Sequence, residues 1–226
     1  LDLLDTADID LRGLAARREA TEAALRSAAE ALSRRRGEAS DRLARGVNRL
    51  LPQLGLAGGK LSVILPLLDE PGSHGRESVQ LQVQLNVGLD PKPLAKVASG
   101  GELSRLMLAL KVVLVKHDAI ATLVFDEVDQ GIGGETGAQV GSALAEVAER
   151  HQVLVITHLP QIAARADSHL VVSKEARRGI ATSDVQVLHG EDRINELARM
   201  LGDAEGEAAR RHAQALLRAP ETAKRR

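Results

Sequence analysis

The sequence predicts an α/β domain, a mostly parallel sheet flanked by helices, carried on an N-terminal helix with coiled-coil spacing. Three observations predict it. Short apolar strands alternate with helical patterns from about residue 100 onward, which is the signature of strand–helix–strand crossovers. The strands 121–126 and 153–157 are short apolar runs, Leu123-Val124-Phe125 and Val153-Leu154-Val155-Ile156, as strands covered on both faces are. Residues 1 to about 50 are rich in Ala, Leu, Arg and Glu, with no Pro before Pro52.

In that first segment Leu4, Leu11, Leu25 and Leu32 keep a seven-residue spacing that Arg18 interrupts, and Leu14 and Ala28 fall three places after Leu11 and Leu25. The seam fits either a coiled-coil strand or one amphipathic helix packed on a domain. Gly13, Gly37 and Gly46 loosen the helix, and Pro52 with Gly55, Gly58 and Gly59 ends it. Leu61–Leu68 and the alternating Val79–Leu85 predict two strands with one buried and one wet face, as in an antiparallel pair, around a turn-forming 70–75. A helix is expected from Gly101 to His117, with Leu103, Leu106, Met107, Leu110 and Leu114 on one face. Further helices are expected near 135–150, 160–165, 193–201 and 205–218, with strands at 169–173 and 183–188. The end, Lys224-Arg225-Arg226, reads as a frayed tail.

Composition narrows the function. The chain has 226 residues, net charge -1 and no cysteine, so disulfides and thiolate metal sites are excluded and a reducing compartment fits. One Phe with no Trp or Tyr argues against base stacking as the main activity. No apolar run approaches the roughly 18 residues of a membrane span. The acidic start, Leu1-Asp2-Leu3-Leu4-Asp5, is unlike a signal peptide, and without an initiator Met it predicts an excised piece of something longer.

The residues with chemistry fall in three places. Ser99-Gly100-Gly101-Glu102 opens a helix, where unpaired N–H groups and the helix dipole attract phosphate and glycines admit it closely. The plain alternative is a capping box of Ser99 with Glu102. Asp126-Glu127 ends an apolar strand, where a carboxylate can hold Mg²⁺ through its water shell and the next can polarise a water; the alternative is a turn pair. His158 ends the next strand, as a phosphate contact or a structural histidine. Together, in this order at one sheet edge, they suit nucleoside triphosphate hydrolysis.

The block that carries these three features resembles the C-terminal lobe of an ABC-type ATPase head. The signature stands at 99–102, the Walker B strand at 122–127, the D-loop at Val128-Asp129-Gln130 and the switch histidine at 158. Within that group it resembles the RecN family of SMC-like bacterial DNA repair ATPases, on Lys96–Arg105, Phe125–Gly134, Thr157–Ala163 and the tail Glu196–Gly202. Glu rather than Gln at position 102 suits SMC-like heads better than most transporters.

The resemblance implies roles: Asp126 holds Mg²⁺, Glu127 is the general base, His158 senses the γ-phosphate, and Ser99, Gly100, Gly101 and Glu102 contact ATP on the opposite head. Asp129 sits at the dimer seam. It implies ATP and Mg²⁺ as cofactors, and as partners a P-loop lobe from the N-terminal part of the same protein, a homodimer of heads sandwiching ATP, and DNA. It implies double-strand break repair by recombination, no membrane, and a bacterial cytoplasmic, nucleoid-associated location. It also turns residues 1–50 into the returning end of a coiled-coil arm and 51–226 into the head lobe.

No G-x-x-x-x-G-K-[ST] occurs. Gly58-Gly59-Lys60 is a decoy, with Leu54 in place of the first Gly and Leu61 after the lysine. The isolated chain is therefore expected to be inactive. A transporter domain would carry its P-loop upstream in the same stretch and is set aside. A non-catalytic dimerisation and DNA-interaction module is the alternative, with Arg34-Arg35-Arg36 and Lys224-Arg225-Arg226 as phosphate contacts or, more simply, solvated helix ends.

Overall fold

The structure is a computed structural model that describes residues 2–97, 99–177, 180–203 and 206–218. Ala98 of the signature token and the basic tail Lys224-Arg225-Arg226 lie outside the described residues. Helix α1 runs from Asp2 to Leu50 without a break. Its 49 residues extend about 73 Å at 1.5 Å per residue. The three glycines do not interrupt it. At Gly13 and Gly37 there is open space, while a Cβ at Gly46 would lie 3.1 Å from Val113 Cγ1. Gly46 thus lets α1 pass close to the helix bearing Val113.

The two ends of α1 differ. Leu11, Leu14 and Leu25 of the heptad seam are exposed, whereas Val47 and Leu51, just past the seam, are fully buried in the core. Leu4 falls among residues whose side chains are not described.

Strand β1 (Lys60–Ile64) pairs antiparallel with β4 (Gln80–Gln84), and β4 with β5 (Lys92–Pro93). The single apolar strand expected over 61–68 is two elements. Pro66, which has no N–H to donate, separates β1 from β2 (Leu67–Gly72). β2 turns back as a hairpin onto β3 (Gly75–Glu77).

A 3₁₀ turn (Leu94–Lys96) leads to helix α2 (Gly100–Leu114), strand β6 (Thr122–Phe125), helix α3 (Gly134–Ala148) and strand β7 (Gln152–Val155). The crossover through α3 makes β6 and β7 parallel, in register from Thr122↔Gln152 to Phe125↔Val155. Helix α4 (Pro160–Ala163), a hairpin of β8 (His169–Arg177) and β9 (Ile180–Leu188), and helices α5 (Gly190–Met200) and α6 (Glu207–Arg218) complete the order.

The α/β class with a leading long helix holds, but the sheet is not mostly parallel. Among the described residues β6–β7 is the parallel pair and the remaining pairs are antiparallel. The reason lies in the connections: β6 and β7 are joined by a helical crossover, whereas β9 begins three positions after β8 ends, too short a link for parallel strands.

The core gathers Leu106, Leu108, Ala109 and Leu110 of α2, Leu123 and Phe125 of β6, and Val140, Leu144 and Val147 of α3 around the foot of α1. Of the face that the leucine spacing of α2 marks, Leu106 and Leu110 are buried, Leu103 and Met107 half-buried and Leu114 exposed. Arg105, Leu108 and Val112 are also buried, because α1 and α3 both pack on α2. Leu106 has no exposed surface. Leu106→Ala is expected to cost about 2–5 kcal/mol of stability, read by denaturant unfolding; a loss under about 1 kcal/mol would mean that α2 is not the centre of the core.

The sheet is covered on one side only. Leu123 and Phe125 face the helices, while Val124, Leu154 and Ile156 on the other face are exposed. The β8–β9 hairpin likewise exposes Leu170, Val172, Val185 and Val187, which pair as Leu170↔Val187 and Val172↔Val185.

Candidate active site

The parallel register of β6 and β7 brings their C-terminal ends level, and Ile156 N donates to Phe125 O at 3.0 Å. Asp126-Glu127 and Thr157-His158 therefore leave the sheet side by side, where open α/β sheets place ligands.

The loop after β6 is tightly wound. Glu127 has φ 57°, the one positive φ outside glycine among the described residues. A bulky residue is held in that region only by its surroundings, and such strain concentrates at functional sites. The holding contacts are local: Glu127 N donates to Asp126 Oδ1 at 2.9 Å, and Gln130 N donates to Glu127 O at 3.1 Å. From α2, Ser104 Oγ donates to Asp126 O at 2.7 Å. Asp126 and Glu127 themselves stay exposed.

Ser99 stands just before α2 in an extended conformation and makes no side-chain hydrogen bond to the helix. The capping box is therefore not formed, and the Ser99 hydroxyl is not spent on capping. The two glycines have a cause beyond phosphate access. A Cβ at Gly100 would lie 2.0 Å from Glu127 Oε2. One at Gly101 would lie 2.8 Å from Gln130 Cβ and 3.0 Å from Glu127 O. Gly101 N also donates to Gln130 Oε1 at 3.3 Å. The Glu127 carboxylate thus rests at the N-terminus of its own chain's α2, an end that favours negative charge.

The difference between the two glycines is testable. Gly101→Ala meets backbone and a Cβ, so it should cost about 1–3 kcal/mol in chemical denaturation. Gly100→Ala meets only the movable end of Glu127 and should cost less. Equal costs would remove the packing role of Gly101.

Asp129, assigned to a dimer seam by the resemblance, points inward and is 4% exposed. Its Oδ2 accepts from Thr157 Oγ1 at 2.5 Å and from His158 N at 2.8 Å, and His158 Nδ1 lies 3.0 Å from it as an ion-pair partner. The His158 side chain is 71% exposed. Glu102 is half-buried in the first turn of α2.

Sequence reasoning gave no role to Arg105. It is 5% exposed, and its Nη1 donates to Val128 O at 3.3 Å and to Gln130 O at 2.8 Å. Burial pushes its pKa down, against the charges of Glu102 and Asp129, which push it up. The available signal was a cation amid the apolar spacing of α2.

Asp126 is one exposed carboxylate, and no cluster of three or more metal-holding side chains occurs among the described residues. That donor set fits Mg²⁺, which takes one or two carboxylates and completes its shell with water and phosphate oxygens. The decoy Gly58-Gly59-Lys60 leads into β1 rather than a helix, so it builds no phosphate cradle.

The fold defines the class: the α/β architecture of ABC/SMC head domains with a long leading helix. No family model matches the chain. The Smc head domain with a coiled coil and joint from Pyrococcus yayanosii superposes with a TM-score of 0.50 at 23% identity, covering 70% of this chain and 29% of that one. That likeness concerns the fold. In sequence the chain is 42% identical to the DNA repair protein RecN of Mycobacterium leprae, over 96% of this chain and 40% of that protein. It is 40% identical to RecN of Deinococcus radiodurans, over 95% of this chain and 38% of that protein. The chain belongs to the RecN family and spans about two fifths of the length of these relatives.

Proposed function

We propose that this chain is the C-terminal lobe of a RecN-type head, with residues 51–226 as the lobe and 1–50 as the returning end of a coiled-coil arm. Joined to a P-loop lobe, it completes a site that hydrolyses ATP and drives closure of paired heads during DNA double-strand break repair. The observation that carries the reading is the meeting of Asp126, Glu127 and His158 at the level ends of β6 and β7, in a sequence with no P-loop lysine motif.

In this reading Asp126 holds Mg²⁺, which when bound neutralises phosphate charge. Glu127, exposed on its strained turn, accepts the proton of an attacking water. His158 presents its exposed ring to the terminal phosphate. Ser99, Gly100, Gly101 and Glu102 contact ATP held by the opposite head, and Asp129, at the dimer seam, couples the two sites. The energy for head movement is the difference in ATP affinity between open and closed heads.

Two further observations support a missing partner lobe and arm. The bare sheet face of Val124, Leu154 and Ile156 is the kind of patch a finished domain covers. The exposed seam of Leu11, Leu14 and Leu25 is the kind a second coil strand covers. No helix among the described residues is long and apolar enough to cross a membrane. A bacterial cytoplasmic, nucleoid-associated location fits the family.

Mg²⁺-dependent ATP hydrolysis tests the reading, with this chain alone and after adding a separately made RecN P-loop lobe. Activity is expected only in the mixture. Activity from the chain alone would overturn the split site. Assembly without activity would favour the non-catalytic interaction module.

A further inference from the structure

We propose that Asp129 is a positioning residue that acts within its own chain, holding His158 in the Nδ1-protonated form so that Nε2 is the nitrogen offered to the site. The role of His158 toward phosphate rests on the function proposed above; the link between Asp129 and His158 does not.

The geometry is specific. Three groups converge on one oxygen: the Thr157 hydroxyl and the His158 backbone N–H donate to Asp129 Oδ2, and His158 Nδ1 lies 3.0 Å from the same atom as its ion-pair partner. A carboxylate oxygen only accepts, so an Nδ1 held 3.0 Å from it is favoured with its proton on, because a bare nitrogen would turn its lone pair toward the carboxylate charge. The backbone contact at 2.8 Å fixes where the residue starts and the ring contact fixes where it points. Thr157 is locked in turn, since its Oγ1 accepts from Leu159 N at 3.0 Å. A buried carboxylate is costly unless its hydrogen bonds are made, and here the histidine and its neighbour make them. The partner on the other ring nitrogen selects the working tautomer of a histidine, and Asp129 is that partner.

Asp129 is itself held from α2. Arg105 Nη1 donates to the carbonyls of Val128 and Gln130, one on each side of Asp129. Two residues earlier the same loop carries Glu127 at φ 57°. The loop therefore sets the general base and, through Asp129, the histidine. A displacement of α2 at its signature end would reach both.

Nitrogen-15 spectra of histidine-labelled full chain, at a pH where imidazole is neutral, read the tautomer directly. The His158 signals are identified by their loss in His158→Ala. Wild type is expected to show protonated Nδ1 and bare Nε2. Asp129→Ala should lose that preference, and Asp129→Asn, whose amide oxygen can stand where Oδ2 stands, should restore it in part. Protonated Nε2 with bare Nδ1 at His158 in wild type would overturn the proposal, and this outcome needs no Asp129 variant to fold. An unchanged His158 pattern in folded Asp129→Ala would overturn it as well.

In the assembled ATPase, Asp129→Ala should lower kcat by about 10–100-fold, the range seen when a histidine loses its orienting partner, with the KM for ATP nearly unchanged. Normal turnover in His158→Ala would instead remove the phosphate role of His158 and leave the tautomer result standing.

Discussion

Glu127→Gln in the assembled head should retain ATP binding and lower turnover by about 10²–10⁴-fold, the span that loss of a general base costs. The substitution keeps the shape of the side chain and removes its ability to take a proton. Shape matters here because Glu127 sits at φ 57° with its carboxylate against Gly100, so a smaller or branched residue would disturb α2 as well. The glutamine amide can occupy the same space, so the fold and the Gly101–Gln130 contact persist. With binding intact and hydrolysis blocked, heads that close on ATP should stay closed. Size-exclusion chromatography with ATP should then show a persistent dimer where wild type returns to the open form. Normal turnover would remove Glu127 from the base position and shift attention to other water-positioning groups at the β6–β7 ends.

Ser99→Arg should prevent ATP-dependent pairing of heads while ATP binding to the P-loop lobe stays intact. Ser99 precedes α2 in an extended conformation with no capping hydrogen bond, so the replacement breaks no helix cap. Its effect on stability should remain within about 1 kcal/mol. What changes is the surface the opposite head would meet: a hydroxyl beside two glycines becomes a long cation that fills the approach to the first turn. A loss of at least tenfold in ATP-induced dimer affinity, about 1.4 kcal/mol, is expected in sedimentation. Unchanged pairing with ATP would count against a signature role for 99–102. The two variants separate cleanly, since one traps the closed form and the other forbids it.

The elements were legible where the pattern is local. The alternation over 79–85 marks β4 and its antiparallel partner, and strand–helix–strand over 121–157 marks the parallel pair. Both follow from side-chain periodicity and connection length, which a sequence carries openly. The α1 glycines misled, because helix propensity is a weak prior that packing overrides: Gly46 serves the approach to Val113 and does not loosen the helix. The mostly parallel sheet also misled. Short apolar runs promise cover on both faces, but Val124 and Leu154 are uncovered in this chain.

By itself, the sequence determined which groups stand at the strand ends, Asp126, Glu127 and His158, because strand order and strand termini are local properties. It also determined that no P-loop lysine motif accompanies them. Only the tertiary structure decided how those groups are held. The inward turn of Asp129 onto His158 spans 29 residues of chain. The grip of Arg105 on the Gln130 carbonyl spans 25. The press of Glu127 and Gln130 against Gly100 and Gly101 joins the same two segments. No periodicity encodes such contacts. They form when β6 and β7 align and α2 packs across their loop, which sets where each buried hydrogen-bonding group can find a partner.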